Sequence, residues 1–229
     1  MRRLYLTESP GLQDSRTPTP AADAETKTET ADRRYHDERG LERVIFFSDA
    51  VFAIAMTLLA LEIRLPELPE TISNAELLAA LGSIWPRYLS FIISFLAIGT
   101  SWIAHQRLFR PVCRYDRRLM LLNIVFLLCI SFLPFPTAVI GEYGETSVAT
   151  IFYAVAMVAA STMSALLWWY VNAQGRLIEQ PLPPAEFHRA ALQKLWSPAV
   201  FLLSIPLALW SPTAAMFSWM LVGARAFWY

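Results

Sequence analysis

From about residue 40 to the end, the chain alternates between long apolar runs and short polar breaks. A membrane-spanning helix needs about 20 mostly apolar residues. Six runs come up to that length: residues 41–64, 84–106, 118–140, 147–171, 190–210 and 212–229. The break between the last two is only Ser211-Pro212, which predicts a tight helical hairpin. Together the runs account for most of the chain after residue 38, and no polar stretch is left that could make a soluble domain. Residues 1–38 follow another pattern, rich in Thr, Pro, Ala, Asp and Glu. They lack the apolar surface that offsets chain ordering, so a disordered cytosolic tail is expected there. The apolar run after Arg2 and Arg3 (LYL) is too short for a signal-peptide core. The pattern therefore predicts a tail, 1–38, and an all-α membrane domain of six transmembrane helices, 39–229.

The charges in the breaks set an orientation. The approach to and start of the first span carry Arg33, Arg34, Arg39 and Arg43, and the loop from the second span to the start of the third carries Arg107, Arg110, Arg114, Arg117 and Arg118. Arg176, Arg189 and Lys194 lie between the fourth and fifth, and Arg225 lies near the end. The alternate breaks are acidic or uncharged (PELPETISNAE, GEYGET, SP). All basic breaks then fall on one side, the cytoplasm, and both termini are cytoplasmic in a multi-pass protein.

Composition narrows the function classes. Charged residues make up 17% and hydrophobic residues 55%, well below and above a soluble domain. Lys+Arg equals Asp+Glu at 19 each, so no nucleic-acid partner is indicated. Cys113 and Cys129 are too few for a disulfide framework or a zinc site, and free thiols are expected. His36, His105 and His188 have no metal-ligand spacing. Neither an enzyme nor a metal or organic cofactor is indicated.

Several packing features are legible. Pro134 and Pro136 in the third span, and Pro198 and Pro206 in the fifth, predict bends. Ala156, Ala160 and Ser164 give the fourth span a close-packing stripe. Trp168, Trp169, Tyr170, Trp210, Trp228 and Tyr229 lie near span ends, where amphipathic rings favour the interface.

Four polar residues stand inside spans, where an ionisable group needs a partner or a function. Asp49 lies about two turns into the first span beside Ser48, His105 lies late in the second, and Asn123 early in the third. Opposite chain directions put them at similar depth, so a hydrogen-bonded cluster is expected. It can lock three helices together, or an Asp49–His105 pair can carry protons or a transported ion. At 100° per residue, Phe47, Ala50, Ile54, Leu58 and Leu61 share one stripe of the first span, with Thr57 at its edge. Ser48 and Asp49 point roughly 100° or more away from Ile54, toward neighbouring helices. The stripe is either packing or the lining of a pathway; this helix is apolar nearly all round, so periodicity alone does not choose.

The residues Arg43-Val44-Ile45-Phe46-Phe47-Ser48-Asp49 read R-x-x-x-F-S-D and continue as AVFAIAMTLLALEI. With Trp102 and His105, the basic second loop, Asn123 and SFLPFPT (Ser131 to Thr137), they resemble the transmembrane-protein-175 potassium channels over residues 40–229. That resemblance implies six helices per repeat with the first lining a central ion pathway. Only one F-S-D motif is present, which implies the single-repeat, prokaryotic type: a homotetramer in a bacterial inner membrane, its partners being lipid, its own copies and permeant potassium. It also implies that Ile54, Leu58 and Leu61, with Thr57 as a polar edge, narrow the pore. Arg43, Ser48 and Asp49 would join an interhelical network with Trp102 and His105. No TVGYG segment is present, so selectivity would come from an apolar constriction. The expected function is a potassium-permeable cation channel. The rivals are a proton leak or proton-coupled carrier using Asp49 and His105, and a membrane structural protein without transport.

Overall fold

This computed structural model describes residues 20–69, 71–175 and 177–226. Residues 1–19, Arg176, Trp228 and Tyr229 lie outside the described residues, as do the side chains of Arg33, Arg34 and Arg225. The expected disorder of residues 1–19 therefore lies there too. The chain divides into two units, Met1–His36 and Asp37–Tyr229. Nine helices are described: α1 Pro20–Leu61, α2 Asn74–Ser83, α3 Trp85–Phe109, α4 Arg117–Phe132, α5 Pro134–Tyr143, α6 Ser147–Gln174, α7 Pro184–Lys194, α8 Trp196–Trp210 and α9 Pro212–Ala226. Helical backbone thus begins at Pro20, within the stretch that composition marks as unable to order itself; the apolar part of α1 is Glu38–Leu61.

Among the described residues, five stretches are long and apolar enough to cross a membrane: Glu38–Leu61, Trp85–Phe109, Arg117–Tyr143, Ser147–Ala173 and Pro184–Trp210. The sixth run of the hydrophobic pattern is apolar but shorter, Pro212–Val222. The chain is a multi-pass, all-helical membrane protein.

Two of the long stretches are each two helices, and proline chemistry explains the breaks. Pro134 has no N–H to give Ile130, so Leu133 N–H bonds the Ile130 carbonyl instead, at 3.2 Å. Pro134 and Pro136 then occupy the first turn of α5, where the missing donors would be unused anyway. The fifth stretch breaks at Leu195, and Pro198 lies in the first turn of α8. Pro206 lies inside α8, which continues through it. The bends expected at Pro134, Pro136 and Pro198 are therefore helix starts, and Pro206 makes no break.

The core of the second unit is centred on α6, which packs on α4, α5 and α8. Its Ala156 and Ala160 are buried and let neighbours approach closely. Thr146 caps its start by accepting from the Ala149 N–H, and Gly175 ends it in the left-handed region at φ 62°. Trp168 and Tyr170 are buried in this core, correcting their placement at the lipid interface, while Trp169 and Trp210 are exposed. The α8–α9 hairpin closes at Ser211, whose Oγ accepts from the Ala214 N–H at 3.3 Å. Trp219 of α9 then donates to Ser204 Oγ of α8 at 2.9 Å.

The two ends of the bundle differ. At one end an isolated antiparallel bridge, Val112 with Ile178, joins the α3–α4 loop to the α6–α7 loop, the two basic connections. At the other end Arg87 of α3 lies 3.6 Å from Glu142 of α5 and also donates to the Arg64 carbonyl beyond α1. Here α3 and α5 pack closely: a Cβ on Gly141 would lie 2.6 Å from Ser90 Oγ. Gly141→Ala is expected to lose about 1–2 kcal/mol by overpacking, and Ser90→Ala, which deletes the clashing atom, to recover most of it. Thermal unfolding of the single and double variants measures the coupling. In the α1–α3 connection, Ser73 and Glu76 form a reciprocal cap on α2. The backbone N–H and hydroxyl of Ser73 lower the Glu76 pKa. A lowered carboxylate pKa means its contribution is present above the ordinary range and fades as pH falls through the lowered value. Amide protection in the first turn of α2, taken relative to the intrinsic exchange rate at each pH, should therefore fall on acidification, and Glu76→Ala should remove that change.

Candidate functional site

Helix α1 has two chemically distinct sides. Leu41, Ser48, Phe52, Ala55 and Leu59, spaced three, four or seven apart, are buried against the bundle. Ser48 is fully buried because α1 meets α4 there. Asn123 Nδ2 donates to Ser48 Oγ at 2.9 Å, and Ser48 Oγ in turn donates to the Val44 carbonyl at 2.8 Å. Asn123 Oδ1 lies 2.9 Å from His105 Nε2 on α3. A carbonyl oxygen only accepts, so Nε2 is the imidazole nitrogen that carries the proton. Ser48, Asn123 and His105 thus form one buried polar string through α1, α4 and α3.

Apolar rings enclose that string. The His105 ring lies 5.6 Å from Phe52, 4.5 Å from Phe109 and 5.8 Å, nearly parallel, from Phe126. His105 Nδ1 is buried with no partner among the described residues.

Asp49 belongs to a second, separate set. Its Oδ1 accepts from Trp102 Nε1 at 2.8 Å and from Gln106 Nε2. Both donors are on α3 and four residues apart, so they lie on one face. The expected single cluster of Asp49, Ser48, His105 and Asn123 is therefore corrected: Asp49 bonds Trp102 and Gln106, and not His105 or Asn123. The reason is angular. Ser48 and Asp49 are consecutive and point about 100° apart, so one faces α4 and the other α3. Gln106 is a member of the site that the hydrophobic pattern does not mark. Its signal was its place four residues after Trp102. Arg43 is exposed and makes no bond to either set among the described residues.

The other side of α1 is turned away from the chain's own core. Ile54 is 58% exposed, Leu58 38%, Leu61 67% and Phe47 59%. Thr57 is exposed too, its hydroxyl donating to the Ile54 carbonyl at 2.8 Å. Asp49 and Ser48 thus hold the helix by one side, which fixes the rotation at which the aliphatic ridge is presented.

A family profile described as endosomal/lysosomal potassium channel TMEM175 matches residues 43–134, the segment that carries both polar sets. A potassium channel of Streptomyces collinus is 38% identical over 178 residues, covering 73% of this chain and 85% of that protein. The chain belongs to the TMEM175 family. A potassium channel of Chamaesiphon minutus is 35% identical, covering 72% of this chain and 83% of that protein. The chicken relative, described as an endosomal/lysosomal proton channel, is 40% identical over 111 residues, covering 46% of this chain and 22% of that protein. The fold is similar to the crystal structure of a lysosomal potassium-selective channel TMEM175 homolog from Chamaesiphon minutus, with a TM-score of 0.71 and 30% identity over 82% of this chain and 96% of that one. TMEM175 members are channels rather than enzymes.

Proposed function

We propose that this TMEM175 member is the subunit of a homotetrameric, potassium-permeable cation channel in a bacterial inner membrane. In this reading the subunit crosses six times with both termini cytoplasmic, α9 being the sixth crossing. Four copies of α1 surround a central axis, as a closed symmetric ring requires. The observation that carries the reading is the two-sidedness of α1: polar bonds hold one side to α3 and α4, while Ile54, Leu58 and Leu61 project away from the bundle. Ridges from four subunits would make an apolar ring. An ion must shed water to pass such a ring, and potassium gives up its hydration shell more readily than sodium. Apolar constrictions bias permeation in this way without a carbonyl filter, so discrimination is modest. Thr57 adds a polar edge, although its hydroxyl hydrogen is engaged by the Ile54 carbonyl.

The test is flux through the purified protein in liposomes under opposed potassium and sodium gradients. Potassium flux exceeding sodium flux supports the channel; absence of flux in correctly assembled protein leaves a structural membrane protein.

A second reading is proton flux, favoured by the unpartnered Nδ1 of His105 and by the name of the chicken relative. It lacks a direct Asp49–His105 bond. It requires that proton flux under a pH gradient change its midpoint in His105→Gln; an unaltered pH profile removes His105 from any proton route.

A further inference from the structure

Arg43 lies inside the apolar stretch Glu38–Leu61 of α1, is exposed, and has no hydrogen bond or ion pair among the described residues. The carboxylates of its own helix are turned away from it: Glu42 by about 100°, Asp49 by about 120° and Glu38 by about 140°. Asp49 is in any case held by Trp102 and Gln106. Arg39, one turn earlier, is already partnered, so Arg43 is the charge that matters here. Its direction is that of the aliphatic ridge. Leu61 follows after about five full turns and points the same way, and Ile54 lies only about 20° off. Arg43 is thus the one charged residue on the outward side that carries Phe47, Ile54, Leu58 and Leu61. At about 1.5 Å per residue it stands roughly 16 Å along α1 from Ile54. It is at the end of the basic connections, because Asp49, less than two turns on, bonds the last turns of α3.

A guanidinium within a spanning stretch needs a carboxylate, a headgroup or water. The subunit's own described residues supply Arg43 with no carboxylate. Two surroundings are left: lipid headgroups, reached by snorkelling, or an aqueous mouth shared with other copies of the chain. The angle favours the mouth, since a side of α1 that lines a pathway at Ile54 and Leu61 lines it at Arg43 as well. We infer, on the tetramer proposed above, that Arg43 faces the ion pathway at its basic end, where four copies form a positive ring that slows cation entry. Rings of charged side chains act on permeation in this way, by changing the local concentration of ions at the mouth. The ring sets the rate and not the choice of ion, because potassium and sodium carry the same charge and are repelled alike. Its reach depends on salt. Screening acts over about 30 Å at 0.01 M ionic strength and over about 3 Å at 1 M, where little of the repulsion survives.

The experiment measures potassium flux through the full-length protein in liposomes of neutral phosphatidylcholine. Potassium is held fixed and low, and ionic strength is raised with N-methylglucamine chloride. Arg43→Gln should exceed wild type about fivefold at about 0.01 M and stay within about 1.5-fold of it at about 1 M. Arg43→Glu should exceed Arg43→Gln at the lower strength, and Arg43→Lys should match wild type. Arg189→Gln should match it too, since it removes an exposed cation from α7, which packs on α6 and α8. The potassium-to-sodium ratio should stay the same in every variant. Equal flux in Arg43→Gln and wild type at the lower strength overturns the ring and leaves Arg43 among lipid headgroups. A change that is the same at both strengths, a Lys variant that behaves as the Gln variant, or a ratio that moves toward one means that Arg43 acts through the fold or the ridge, and also overturns it. So does an Arg189→Gln gain as large as that of Arg43→Gln, which would mean general surface charge. If Arg43→Gln does not assemble, wild type alone decides: its flux should rise several-fold from the lower to the higher strength, and a flat response overturns the ring. Absence of flux in assembled wild type ends the channel reading itself, so the two failures are told apart.

Discussion

Replacing Ile54 with Asn, or Leu58 with Ala, is expected to raise potassium flux on the order of tenfold and to bring the potassium-to-sodium ratio toward one. Both side chains lie on the outward side of α1, and neither packs into the subunit's own core. Their loss should therefore leave subunit stability within about 0.5 kcal/mol, as for other substitutions outside a core. What changes is the barrier. In the proposed tetramer each substitution acts four times at one level of the axis, and a barrier lowered by only about 1.4 kcal/mol is a tenfold rate change. Asn should exceed Ala at the same position, because its amide offers an ion a replacement for lost water. Leu128, exposed on α4, supplies the control: Leu128→Ala should leave flux and selectivity unchanged. Liposome flux with potassium and sodium measured separately decides the matter. If Ile54→Asn and Leu58→Ala both conduct as wild type does, the ridge is a packing surface.

Asn123→Ala should lower stability by about 2–4 kcal/mol. The amide bridges two buried partners, Ser48 and His105, across three helices. Removing it leaves the His105 N–H without an acceptor among phenylalanine rings and opens a void of amide size. A stranded buried donor costs about 1–3 kcal/mol. Hydrogen bonds between membrane helices average nearer 0.6 kcal/mol, because the separated helices also find partners. The upper part of the range applies here because the rings of Phe52, Phe109 and Phe126 that surround His105 offer its N–H no substitute acceptor. Changing both partners to apolar groups, Asn123→Leu with His105→Phe, should recover most of the loss, since nothing polar is then left unpaired. For a chain of this size the single variant should unfold roughly 5–12 °C lower. Thermal unfolding in detergent, read with the tetramer fraction, checks this. A shift below about 2 °C would mean that the string contributes nothing to holding α1.

Much of this was legible in the chain because bilayer thickness imposes a length. Apolar runs of about 20 residues mark spans whatever their neighbours are, and helical periodicity alone puts Ile54, Leu58 and Leu61 on one side of α1, opposite Ser48 and Asp49. That polar groups inside spans must find partners follows from the same solvent physics, so a bonded group involving Ser48, Asp49, His105 and Asn123 could be expected.

Which partner each group takes was decided only by the folded chain. One residue along a helix turns a side chain by about 100° and moves it about 1.5 Å, finer than any hydrophobic pattern resolves. Asp49 therefore bonds Trp102 and Gln106, while Ser48, one position earlier, bonds Asn123. Burial of Trp168 and Tyr170 and the division of two apolar runs into α4–α5 and α7–α8 depend on contacts between segments far apart in sequence. Hydropathy reports only how each segment partitions between water and lipid; the rotation, depth and neighbours of a helix are set by packing against the others.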